Sequence, residues 1–212
     1  MTPEAFQTAA NVSRETMDRL LAMDTVFLDW SSRHNLVARS TIDDRWARHY
    51  LDSAQIVPFL PEDMTTLVDL GSGAGFPGLV LAAMLADRKV SVTLIESIGK
   101  KAAFLRAAGD AMGLQNLTVI PARIESLKLQ KKPDVITARA LARLDKLLGY
   151  GVGLQKKTTK YYFLKGQDVA GELTEATKYW HMDVKRHQSR TNADATILEI
   201  GNVARARKSS NG

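Results

Sequence analysis

Apolar and polar positions change rhythm once along the chain. Between Ser13 and about Arg33, the residues Met17, Leu20, Leu21, Phe27 and Leu28 recur at helical spacing, with Arg14, Asp18 and Asp24 between them. That spacing predicts a long helix with its charged positions toward water. Thr2 before Pro3 predicts an earlier helix start, because a hydroxyl caps free N–H groups and proline lacks only an N–H that the first position does not need. A further helix is predicted over 43–56, ending before "VPFLPED", where Pro58 and Pro61 mark a linker. From Thr66 the pattern becomes short apolar runs alternating with helical stretches. Strands are predicted at 66–70, 90–96, 117–120, 134–138 and 161–165, with two late ones near 182–186 and 195–200. Helices are predicted between them at 77–86, 99–112, 142–149 and 169–178. Such alternation implies crossover units and a mostly parallel sheet covered on both faces. The expected organisation is an α/β unit over 61–204, a helical extension over 1–60 and a polar tail over 205–212.

Composition narrows the chemistry. The chain has 212 residues, 45% hydrophobic and 25% charged, which suits a soluble domain with a sizeable core. It has no cysteine, which removes disulfides, thiolate metal sites and a cysteine nucleophile, and fits a reducing compartment. No apolar run has the length of a membrane span and no secretory leader is evident, so a cytoplasmic protein without a membrane partner is expected. Lysine and arginine number 29 against 23 acidic residues, a net charge of +6. Basic residues gather in "RWARHY", "KLQKK", "KKTTK" and "RARK". Charge of this size leaves a nucleic-acid partner open without requiring one.

The residues that point to a ligand follow the first predicted strand, where "LVDL" runs into "GSGAGFPG". Glycines there permit positive φ and let a ligand approach the backbone. A helix beginning near Pro77 turns unpaired N–H groups toward the loop and favours a polar or negative group. Gly73-Ala74-Gly75-Phe76-Pro77-Gly78 satisfies the G-x-G-x-x-G pattern of dinucleotide sites, with Glu96 at the end of the next strand as the acid for a ribose. Phe76 and Pro77 crowd the path of a pyrophosphate, however. Asp69-Leu70-Gly71-Ser72-Gly73 satisfies instead the D-x-G-x-G loop of class I S-adenosylmethionine (SAM) methyltransferases. A carboxylate before the first glycine repels a pyrophosphate and suits an ammonium. A structural turn without a ligand is the third reading.

Several blocks in order carry a closer resemblance. They are "NLVARSTIDDRWARHYLDS", "VDLGSGAGFPG", "LIESIGKKAAFLR", "ARIE", "TARALARL" and "FLKGQ", spanning about Asn35 to Gln167. Together they resemble the RsmG family, formerly glucose-inhibited division protein B, of 16S rRNA (guanine-N7) methyltransferases. The resemblance implies a class I SAM-dependent methyltransferase fold with a seven-stranded sheet. It implies methyl transfer from SAM to N7 of a guanine in the 530 loop, guanine 527 in the usual rRNA numbering. The small ribosomal subunit is the implied partner, and a monomer without a metal is expected. The family's cofactor contacts fall on Gly71, Phe76, Ile124, Glu125 and Arg139, with Gly73 in the loop and Glu96 in the ribose-binding place of the wider fold.

Guanine N7 offers an in-plane lone pair and no proton, so its methylation asks for alignment and no general base. This matches a chain without an evident dyad, triad or metal cluster. N7 lies beside the O6 acceptor on the major-groove edge, so one basic donor to O6 could orient the base. Arg139 and Lys165 are the positioning candidates, Lys100 a weaker one, and Arg123 joins them as a substrate contact. Arg123 could equally pair with Glu125 or Glu96. His49 is expected to pack or hydrogen-bond, Arg45 and Arg48 to meet RNA backbone, and Trp30 and Trp46 to pack between helices. The rivals are an NAD-dependent oxidoreductase, an RNA-binding protein without catalysis and a small-molecule methyltransferase.

Overall fold

A computed structural model of the chain describes residues 1–206. Before the sheet come α1 (Pro3–Ala10), α2 (Arg14–Arg33), a π-helical segment (Trp46–Leu51) and the short α3 (Asp52–Ala54). Thr2 caps α1 by accepting from the Ala5 N–H, and Ser13 caps α2 by accepting from the Thr16 N–H. Seven strands follow: β1 (Thr66–Leu70), β2 (Ser91–Ile95), β3 (Leu117–Ile120), β4 (Val135–Arg139), β5 (Lys160–Lys165), β6 (Trp180–Gln188) and β7 (Thr196–Arg205). Between them lie α4 (Gly78–Met84), α5 (Gly99–Ala111), α6 (Leu144–Val152) and α7 (Val169–Thr177). The sheet order is β3-β2-β1-β4-β5-β7-β6, parallel through β5, with β7 antiparallel to both neighbours. This is the expected class I methyltransferase architecture.

Period-two alternation divides the core. Leu67 of β1 faces one layer with α2, α4 and α5, whereas Val68 and Leu70 face the other with α6 and α7. The helices before β1 join the first layer through Phe6, Trp46 and Tyr50, whose Trp46 and Tyr50 rings stack at 4.1 Å.

Four details differ from the sequence expectation. Asp24 is buried and not on the wet side of α2, because Arg45 reaches across with two hydrogen bonds of 2.6 and 2.8 Å. Arg45, expected at RNA backbone, is half-buried and committed to Asp24. Leu21 and Leu28, expected on the apolar face, are exposed because the buried stripe follows Met17, Leu20, Met23 and Phe27. The late hairpin is longer than predicted, since β7 runs to Arg205, whose guanidinium lies 5.0 Å from the Trp180 ring. Most of the expected tail, 207–212, lies outside the described residues. No helix among the described residues is long and apolar enough to cross a membrane.

Candidate active site

Parallel strands leave a crevice at their carboxyl ends where successive crossovers part to opposite faces. Here the ends of β1, β2 and β4 open into a cavity of about 720 Å³. Its floor is the glycine loop. Gly71 has φ +62°, and a Cβ there would stand 2.5 Å from the Leu141 side chain. Gly73 has φ +54°, and a Cβ there would meet only the Gly71 carbonyl oxygen, at 3.7 Å, so no side chain crowds its backbone beside the cavity. The Ser72 N–H donates to the Ile95 carbonyl at 3.0 Å and ties the loop to the end of β2.

Glu96 holds the next wall. One carboxylate oxygen accepts from the Gly73 N–H at 2.9 Å and the other from the Ile98 N–H at 2.7 Å. Each oxygen has a second lone pair, which leaves room for hydroxyl donors. Asp69 is fully buried beside Gly78 under the loop and does not line the cavity, so it supports the turn and does not face an ammonium. One of its oxygens accepts from the Thr137 hydroxyl at 2.7 Å while the other has no partner. Burial raises its pKa to about 6.

At the end of β4, Arg139 shares Nη1 among the Arg48 carbonyl (3.1 Å), His49 Nδ1 (3.2 Å) and the Asp52 carboxylate (3.2 Å). Its guanidinium also lies 5.2 Å from the Phe76 ring centre. Arginine only donates, so His49 Nδ1 must be the acceptor and the ring proton sits on Nε2. That proton points to Thr41 Oγ1 at 2.9 Å, whose own hydrogen goes to the Ala38 carbonyl at 2.7 Å. Burial, then the Arg139 cation, lowers the His49 pKa to about 4. His49 is therefore a neutral, fully committed hydrogen-bonding residue stacked on Phe76, with ring centres 5.0 Å apart.

The cavity brings together Gly71, Gly73, Phe76, Glu96 and Arg139 with Arg123, Ile124 and Glu125, which arrive from the turn after β3. Ile124 is buried and Arg123 exposed, and Arg123 makes no ion pair among the described residues. Lys165 is not among the lining residues. It donates to the Ala142 carbonyl at 3.0 Å and pairs with Glu172 at 2.7 Å, both partners being largely buried. Lys100 likewise stands outside, beside a neighbouring hollow. Sequence reasoning missed Leu36, Val37, Ala38 and Thr41, which close the cavity from the segment after α2, and Tyr150 on α6. For the first four the one signal was membership of the "NLVARSTIDDRWARHYLDS" block, which also holds His49; Tyr150 lies outside every matching block.

Residues 16–200 match the family described as GidB, rRNA small subunit methyltransferase G. The chain belongs to the rRNA small subunit methyltransferase G family. It is thus a methyltransferase. A relative from Rhodospirillum rubrum, a ribosomal RNA small subunit methyltransferase G, is 44% identical over 210 residues, covering 97% of this chain and all of its own. Solved structures agree in fold. A SAM-dependent methyltransferase from Aquifex aeolicus superposes with a TM-score of 0.57 at 16% identity, covering 74% of this chain and 90% of its own. A variant of MtNAS in complex with S-adenosylmethionine gives 0.58 at 12% identity, covering 95% of this chain and 84% of its own. The family membership identifies SAM as the methyl donor.

Proposed function

We propose that the chain methylates N7 of a guanine in the 530 loop of 16S rRNA by direct displacement, without a covalent enzyme intermediate. The observation that carries this reading is the commitment of His49. His49, the one imidazole among the described residues lining the cavity, has Nδ1 filled by Arg139 and its Nε2 proton given to Thr41. Such a histidine is poorly equipped to remove a proton from substrate, and guanine N7 has none to remove. The lone pair of N7 forms the new N–CH₃ bond as the S–CH₃ bond breaks, and the positive charge passes from sulfur to the purine.

When bound, SAM supplies the electrophilic methyl. Gly71 and Gly73 would lie along its methionine part, Glu96 would take the ribose hydroxyls with its remaining lone pairs, and Ile124 and Glu125 would meet the adenine end. Phe76 and Arg139 would border the reacting groups. Arg139 is the donor suited to orient O6, and exposed Arg123 suits a phosphate near the mouth. Lys165, locked to Glu172, has no part in this arrangement. The helices over 1–60 serve as an extension of the catalytic unit and close its mouth through the 36–41 segment.

The test is calorimetric titration with SAM and with NAD, followed by transfer from tritiated SAM to deproteinised 16S rRNA, 30S particles and 50S particles. Binding of SAM and label in the small-subunit substrates are expected. Binding of NAD alone, or label only in 50S particles, would overturn the reading.

A further inference from the structure

Beside the cavity lies a second hollow of about 320 Å³, bordered by Trp30, Arg33, His34, Ile98, Lys100 and Lys101. It adjoins the first, since Leu36, Ile98 and Lys101 line both. Its chemistry differs from that of the donor site. Trp30 packs one side against Phe104 at 5.8 Å and meets the His34 ring at 5.5 Å and 52°, which makes a half-buried aromatic corner. Ile98 is 51% exposed at the shared rim, an uncommon position for a large apolar side chain. Around this apolar corner stand three cations. Lys100 and Lys101 form no ion pair among the described residues, and Arg33 pairs only with exposed Asp29 on its own helix. A pair of that kind holds weakly against a competing phosphate. Both lysines also sit in the first turn of α5, which contains no acid. Their charge there opposes the helix dipole, and a bound anion would relieve the conflict.

We propose that this hollow receives a nucleotide of the substrate RNA other than the one methylated, with its base against Trp30 and His34 and its phosphate among Lys100, Lys101 and Arg33. Aromatic faces beside cations are the means by which proteins hold unpaired strands, because every base has a face to stack and every linkage a charge. The proposal rests on the RNA-methylating reading above only in taking RNA as the ligand. It adds a contact that holds the strand while the target base enters the neighbouring cavity.

The double variant Lys100→Gln/Arg33→Gln tests it, since both side chains are exposed and neither lines the donor cavity. Filter binding to a 530-loop RNA fragment across salt concentrations should give a log–log slope smaller by about 1.4 to 1.8, the value for two lost phosphate contacts. Affinity for SAM should stay within about twofold. Photocrosslinking of thiouridine-labelled fragment to the unaltered protein should mark Trp30 or His34. An unchanged slope, or crosslinks that avoid both residues, would overturn the proposal. The two readings fail separately. A methyl on an atom other than guanine N7 with a reduced slope defeats the reaction and leaves the subsite. A methyl on N7 with an unmoved slope defeats the subsite alone.

Discussion

At the residue scale, two buried titratable groups make opposite demands. His49 is lowered from 6.5 to about 4 by burial first and Arg139 second, so between those values the unfolded chain takes up a proton that the folded chain refuses. Stability from this group is present above pH 6.5 and lost as pH falls toward 4. Asp69 is raised by burial from 3.8 to about 6, so there the folded chain holds the extra proton and stability is lost as pH rises from 3.8 to 6. The two slopes oppose each other over most of the same window. His49→Phe should uncover the Asp69 slope, with the melting temperature falling as pH rises from 4 to 6. Asp69→Asn should uncover the reverse. Thermal denaturation of both variants checks this, and slopes of the same sign would contradict it. Gly73 makes a different prediction. An alanine there would hold a left-handed φ at a cost of about 1–2 kcal/mol and place a methyl 3.7 Å from the Gly71 carbonyl oxygen, where the proposed donor would lie. Gly73→Ala should melt a few degrees lower and bind SAM at least about tenfold more weakly, and unchanged calorimetric affinity would count against the loop's role.

At the element scale, the strands and crossover helices were legible because each is local. β1, β3 and the starts of α5 and α7 match their predicted limits, and Gly71 and Gly73 marked the turn after β1. What was not legible depends on partners distant in sequence. Asp24 looked like a surface acid because the Arg45 that buries it comes 21 positions later. Lys165 looked like a site residue because nothing nearby announces Glu172. The π-helical segment Trp46–Leu51 gives no local signal, yet it delivers His49 and the Arg48 carbonyl to Arg139. The element after it couples the site to the late hairpin. Asp52, which meets Arg139 through one oxygen, accepts through the other from Gln55 and from Thr191 in the β6–β7 turn, each at 2.9 Å. Thr191→Val should loosen Asp52 and lower methyl transfer about fivefold, the effect of roughly 1 kcal/mol of lost hydrogen bonding. Thr191→Ser should restore the rate, and single-turnover kinetics of the pair distinguish lost positioning from lost folding.

At the scale of the whole molecule, the helices before β1 reach the active site through aromatic contacts. Phe6 of α1 meets Trp46, Trp46 stacks on Tyr50, and Tyr50 meets Phe76 at 5.1 Å. The cavity is thus shared between the sheet and the preceding segment, which the "NLVARSTIDDRWARHYLDS" block hinted at but could not place. Sequence motifs pointed to residues that the fold gathers around one cavity; the closure by Leu36 to Thr41 required the folded chain. The most direct measurement supplies SAM with a trideuterated methyl to the enzyme and 30S subunits, then digests the 16S rRNA and locates the label by mass spectrometry. Trideuterated 7-methylguanosine within the 530 loop is the expected product. Label on another base or another atom of guanine, with SAM bound, would contradict it.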